Sequence, residues 1–150
     1  MRPSEVRSSI LEGHERIRAR LGELEALGRR VLAGEGERLE ALRASARALL
    51  LALSNHMGFE DLHLARALRG ADAWGSEHAA QLERDHREQR DLLAHVLAGL
   101  DDAGRPPRVL ASSLVDLVQL LRDDMRSEEE ALLDPRVLRD DVVGIDVETG

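Results

Sequence analysis

Four stretches of this chain set apolar side chains three and four residues apart, and glycines or prolines close each one. That period is the seam of an amphipathic helix and excludes the two-residue alternation of a half-buried strand. The first stripe starts beyond Pro3-Ser4 and runs Ile10, His14, Ile17, Leu21, Leu24, Gly28, Val31 before the turn Gly34-Glu35-Gly36. The second reads Leu39, Leu42, Ala46, Leu49, Leu53, His56, Glu60, His63, Ala67 and ends near Gly70. Ser76 then has the chemistry of an N-cap for a third stripe, Ala79, Leu82, His86, Gln89, Leu93, Val96, Leu100. After the break Gly104-Arg105-Pro106-Pro107 comes Leu110, Leu114, Leu117, Leu121, Asp124, Glu128, Ala131, stopped at Asp134-Pro135 because proline disfavours helix in the residue before it.

Long helices joined by short connections predict an all-α, up-down-up-down antiparallel four-helix bundle over residues 1–135. Residues 136–150 are too short for another bundle helix and are expected to form a C-terminal tail, with a weak alternation at Val142, Val143, Ile145 and Val147. The composition agrees. Phe59 and Trp74 are the only Phe, Tyr or Trp residues in 150, which suits helix packing better than a sandwich or barrel. A net charge of −8 with arginines dispersed among acids argues against nucleic acid. The absence of cysteine removes disulfides, thiolate metal sites and cysteine nucleophiles. No apolar run resembles a signal peptide or a bilayer span, so the expected location is cytoplasmic, with no membrane partner. There is no Gly-rich phosphate loop after a strand and no GxSxG elbow.

The chemistry lies in the positions where these stripes break their own rule. His14, His56, Glu60, His86, Asp124 and Glu128 stand where leucines belong, and every helix supplies at least one of them. Burying an unpaired charge costs several kcal/mol, while a whole domain is stable by roughly 5–15 kcal/mol, so these groups need compensation. Their heights along the bundle agree as well. In a helical hairpin, residues at equal height have a sequence midpoint in the turn. The pairs His14/His56, Glu60/His86 and His86/Asp124 have midpoints at 35, 73 and 105, all in expected connections. The six groups therefore converge on one layer, where bound cations are the economical compensation.

Three imidazoles with three carboxylates suit iron, then manganese, better than zinc, which prefers four ligands. Six donors are reasonable for two ions, with Glu60 and Glu128 as the bridges. Other candidates have blander readings. His63 is expected at the rim of the site, His78 off the stripe, and His95 at the surface. Met57 and Phe59 are expected to pack around the site, and Trp74 to cap the second connection.

These same residues resemble the hemerythrin-like, or HHE cation-binding, family. The resemblance rests on His14 with its charged helix, His56-Met57-Gly58-Phe59-Glu60-Asp61, Asp85-His86 and Glu128-Glu129-Glu130-Ala131-Leu132-Leu133-Asp134-Pro135, and covers about residues 10 to 135. It implies a non-haem di-iron centre of two iron ions in a four-helix bundle that binds or senses dioxygen, nitric oxide or iron, or protects against oxidants. Two positions depart from that pattern: Asp124 stands where the family has a histidine, and Asp85 where many members carry glutamate. A carboxylate at 124 adds negative charge and hard oxygen donation, which favours ferric iron over reversible oxygen carriage. The leading expectation is a binding or sensing domain for a small diatomic ligand. The alternatives are a peroxidase- or ferroxidase-like enzyme acting on peroxide or ferrous iron, and a metal-free helical interaction module.

Overall fold

The computed structural model describes residues 1–71 and 73–140. Helix α1 spans Pro3–Leu32. Pro3 occupies its first position, where a missing N–H costs nothing, and the Arg2 backbone N–H donates to the Glu5 carboxylate at 2.8 Å. The chain leaves α1 through Gly34, whose φ of +105° is a conformation glycine adopts without penalty. A 3₁₀ turn, Gly36–Arg38, leads into α2, Leu39–Phe59. A wide π turn, Glu60–Leu64, carries the same rod on into α3, Ala65–Arg69. Helices α4, Gly75–Leu100, and α5, Pro107–Ala131, complete an all-helical bundle. Among the described residues no helix is long and apolar enough to cross a membrane.

Two sequence expectations need correction. Ser76 is not the cap of α4; it lies in the first turn, and Trp74, 63% exposed, holds the N-cap position. The reason is steric. At Gly75 a Cβ would lie 1.8 Å from the Leu68 carbonyl oxygen, so only glycine lets α4 begin this close to α3. The second correction concerns the lower part of the second rod. The regular helical period continues the stripe through His63 and Ala67, but Leu64, Ala65 and Leu68 are the buried residues there. Glu60, Leu64 and Leu68 step by four twice, which in a regular helix would drift about 80° around the axis. The π turn absorbs that drift by fitting an extra residue into one turn.

α1 packs against α2 and α5, and α4 packs against α2 and α3. The apolar core is divided in two. The larger cluster holds Ile17, Leu53, Met57, Leu93, Leu121 and Met125, among others. The smaller holds Ile10, Leu64, Leu82 and Leu132 together with Leu133 and Leu138 beyond α5. Ser4 fastens the start of the chain to this end, donating through its backbone N–H and hydroxyl to Asp140 at 3.0 and 2.7 Å. The expected alternation at Val142, Val143, Ile145 and Val147 lies outside the described residues.

Candidate metal centre

In each rod the residue between the two apolar clusters is ionisable: His14 between Ile10 and Ile17, Glu60 between Met57 and Leu64, His86 between Leu82 and Leu93, Glu128 between Met125 and Leu132. His14, Glu60 and His86 are 1%, 1% and 2% exposed, the three polar or charged residues buried among those described. His56 and Asp124 flank this layer, half-buried. All six line one small pocket of about 20 Å³, walled by Ile17, Leu53, Met57, Leu121 and Met125.

The layer is tightest around Glu60. His14 Nε2 lies 3.8 Å from Glu60 Oε1 and 3.3 Å from Glu128 Oε1, and His56 Nε2 abuts Glu60 Oε1. The His14 and His56 rings are 4.9 Å apart between centroids. On the other side His86 Nε2 stands 3.5 Å from Glu60 Oε2. One carboxylate thus turns one oxygen to His14 and His56 and the other to His86. His14, His56, Glu60 and Glu128 each offer a donor atom within 4.8 Å of the other three. His86 and Asp124 share the pocket but stand outside that close set. The Asp124 carboxylate accepts a hydrogen bond from the Gln89 side-chain amide at 3.0 Å.

Two of the histidines are oriented by matching arrangements that the sequence reading missed. His14 Nδ1 donates to Glu129 at 2.7 Å, and Arg18 donates to both oxygens of that carboxylate at 2.7 and 2.8 Å. His86 Nδ1 donates to Asp61 at 2.6 Å, with Arg90 on the other Asp61 oxygen. A carboxylate can only accept, so each imidazole carries a proton on Nδ1 and turns Nε2 toward the pocket, the orientation a metal-binding histidine needs. Glu129 was hidden in an acidic run that reads as solvated surface. Asp61 follows Glu60 directly, and its access to the site depends on the wide turn that begins there. His56 has a different neighbour. A Cβ on Gly13 would sit 2.8 Å from His56 Nδ1, so the bare α1 backbone makes room for the ring.

The remaining candidates fall away from the pocket. His63 leans on Phe59 with centroids 4.5 Å apart, and Phe59 packs with the smaller apolar cluster. Met57 does wall the pocket. His78 lines an outer groove between α4 and α5, and His95 is exposed.

The electrostatics show what these groups do without a cation. Burial works against charge on Glu60, yet the surrounding imidazoles of His14, His56 and His86 hold its carboxyl well below the ordinary range. Burial pushes Glu128 up to about 8; His14 opposes that rise and the Glu60 charge adds to it. Burial also opposes charge on His14, but contacts with Glu128, Glu60 and Glu129 raise it to about 10. Asp124 is raised, mainly by burial, with Gln89 opposing and Asp85 and Asp123 adding repulsion.

Hydrogen bonding leaves the layer incomplete. His56 Nε2, Glu60 Oε2 and Glu128 Oε1 are buried with no hydrogen-bond partner. Orphaned buried polar atoms are rare because each forfeits its hydration, and three in one pocket match the donor set of a cation. Mixed imidazole and carboxylate donors fit iron or manganese.

A helical bundle with imidazoles and carboxylates directed into its core belongs to the class of metal-binding bundles. The sequence matches the family model of the hemerythrin HHE cation-binding domain over residues 7–134, and the chain belongs to that family. Neither the curated proteins nor the solved structures contain a match to the chain.

Proposed function

We propose that this chain holds two iron ions in the central layer of an up-down-up-down bundle and binds or senses a small diatomic ligand, dioxygen or nitric oxide, or iron itself. The observation that carries the reading is the convergence of three unpartnered donor atoms, on His56, Glu60 and Glu128, in a pocket between two apolar clusters. The proposed topology is supported by cluster order. Along α1 and α4 the chain passes from the smaller cluster to the larger, and along α2 and α5 from the larger to the smaller. The bundle is taken to occupy residues 1–135, with 136–150 as a tail.

Bound iron would supply a redox-active Lewis acid with positions open to a small ligand. The chain's own residues do the rest. His14, His56 and His86 would hold the iron through Nε2, releasing any proton carried there as the ion binds. Glu60 and Glu128 would hold both ions through their carboxylates, and Asp124 would offer a further oxygen. Leucines and methionines on both sides limit water. A second reading, an oxidant-scavenging enzyme, is favoured by the groove of about 500 Å³ between α4 and α5, which reaches His86, Asp124 and Glu128 and exceeds what a diatomic molecule needs.

The test is metal quantification with an ultraviolet–visible spectrum on the wild type and His56→Ala. About two irons per chain with oxo-to-iron absorption, both diminished in the variant, are expected. Iron content unchanged in His56→Ala would refute the assignment. Catalytic turnover of peroxide or ferrous iron would select the enzyme reading. No bound metal, with equal stability after chelation, would leave a helical interaction module.

A further inference from the structure

The two sides of the pocket differ in how ready their donors are. His14, His56, Glu60 and Glu128 already present atoms within 4.8 Å of one another. Donors on opposite sides of an ion with bonds of about 2.2 Å lie roughly 4.4 Å apart, so this set needs little movement to close on a cation. The other side is less closed: His86 and Asp124 stand outside that close set, although His86 does face Glu60. His86 has its Nε2 3.5 Å from Glu60 Oε2, an unpartnered oxygen on a residue only 1% exposed. Asp124 is held by Gln89 at 3.0 Å.

Access differs too. His86, Gln89, Asp124 and Glu128 line both the inner pocket and the groove of about 500 Å³ between α4 and α5. His14 faces the seam between α1 and α5, while His56 also borders a separate groove of about 800 Å³ between α1 and α2, so the two sides of the pocket open on different grooves.

Resting on the iron-binding reading above, we infer that the two cation positions are inequivalent. The first, on His14, His56, Glu60 and Glu128, is preassembled and retentive. The second, on His86, Asp124 and the remaining oxygens of Glu60 and Glu128, is weaker and exchangeable and is loaded through the α4–α5 groove. Preorganised donors lose less freedom on binding, so the assembled side fills first. The second requires Asp124 to give up its hydrogen bond from Gln89 before it can turn to an ion.

Anaerobic calorimetric titration of the chelated full chain with ferrous iron tests this. Two steps are expected, the second at least about tenfold weaker and the first to be stripped by a mild chelator, a difference within the range that outer hydrogen bonds exert on metal affinity. Asp124→His should strengthen the second step and leave the first. Asp124→Ala, and the milder Asp124→Asn with circular dichroism as a folding control, should remove or weaken the second alone. A wild type that takes one equivalent, with a second gained only in Asp124→His, supports the same inference. Two equal equivalents, one equivalent in both proteins, or Asp124 variants that weaken both steps alike would overturn it. Iron uptake that is absent, or insensitive to His56→Ala, would instead sink the iron-binding reading beneath it.

Discussion

Glu129 shows how much a single side chain outside the pocket does. Its carboxylate accepts from His14 Nδ1 while Arg18 grips it from the far side, so one imidazole is fixed in direction with a proton held on Nδ1. Burial opposes ionisation of Glu129, but Arg18 and His14 together keep its carboxyl below the ordinary value. Glu129→Gln, which loses the charge and keeps the shape, should cut iron affinity by about 10- to 100-fold with little change in melting temperature, measured by titration and thermal unfolding. Gly13 acts by what it lacks. In Gly13→Ala the new methyl would meet the His56 imidazole at 2.8 Å and force the ring to shift. The expected result is weaker iron binding and a stability loss of about 1–3 kcal/mol, read from denaturant unfolding. The six ionisable residues that line the pocket were legible in the sequence because each stands at a position the helical period reserves for leucine. Glu129 and Asp61 were not, since each sits beside another acid and only three-dimensional packing separates the acid that faces the pocket from the one that supports a histidine.

At the scale of elements, the second rod carries most of the difference between sequence and structure. Its stripe is legible as far as Glu60, then slips by one residue, because a 3.6-residue period cannot anticipate a π turn. The slip lets Glu60 and Asp61, neighbours in sequence, serve the same site. Leu62 is 64% exposed within that turn, so deleting it removes the extra residue without emptying the core. The deletion variant should stay helical by circular dichroism and lose iron binding, because Asp61 no longer reaches His86 or the lower apolar face no longer meets its partners. Retained affinity would show that the wide turn is incidental. The start of α4 was misplaced for a comparable reason. Ser76 has good capping chemistry, but the approach of Gly75 to the Leu68 carbonyl decides where the helix begins. Gly75→Ala should destabilise the bundle by about 3 kcal/mol or more, since backbone rather than a flexible side chain must yield.

The whole molecule is two apolar clusters separated by a polar layer, and the cost of that layer sets how stability depends on pH. In the chelated protein His14 titrates near 10 against an ordinary 6.5, so its contribution is complete below about 6.5 and is lost as pH rises through 10. Glu128 titrates near 8 against 4.5. The unfolded chain releases that proton first, so Glu128 erodes stability progressively between those values. Glu60 is shifted downward, so its contribution is present above 4.5 and is lost in acid. Chelated protein should therefore be most stable on the mildly acid side of neutrality and weaken toward pH 9, a profile that urea unfolding at stepped pH checks. Iron should reverse the alkaline weakening, because metal binding displaces the same protons and strengthens as they leave.

The central claim is that a cation compensates for burying these groups, and thermal unfolding of one preparation, chelated and then loaded anaerobically with ferrous iron, tests it most directly. Free iron at about 100 times its dissociation constant should add about 2.7 kcal/mol of stability and raise the midpoint by several degrees in the wild type, with most of that gain lost in Glu60→Gln. Identical midpoints before and after loading, in wild type and variant alike, would contradict the account.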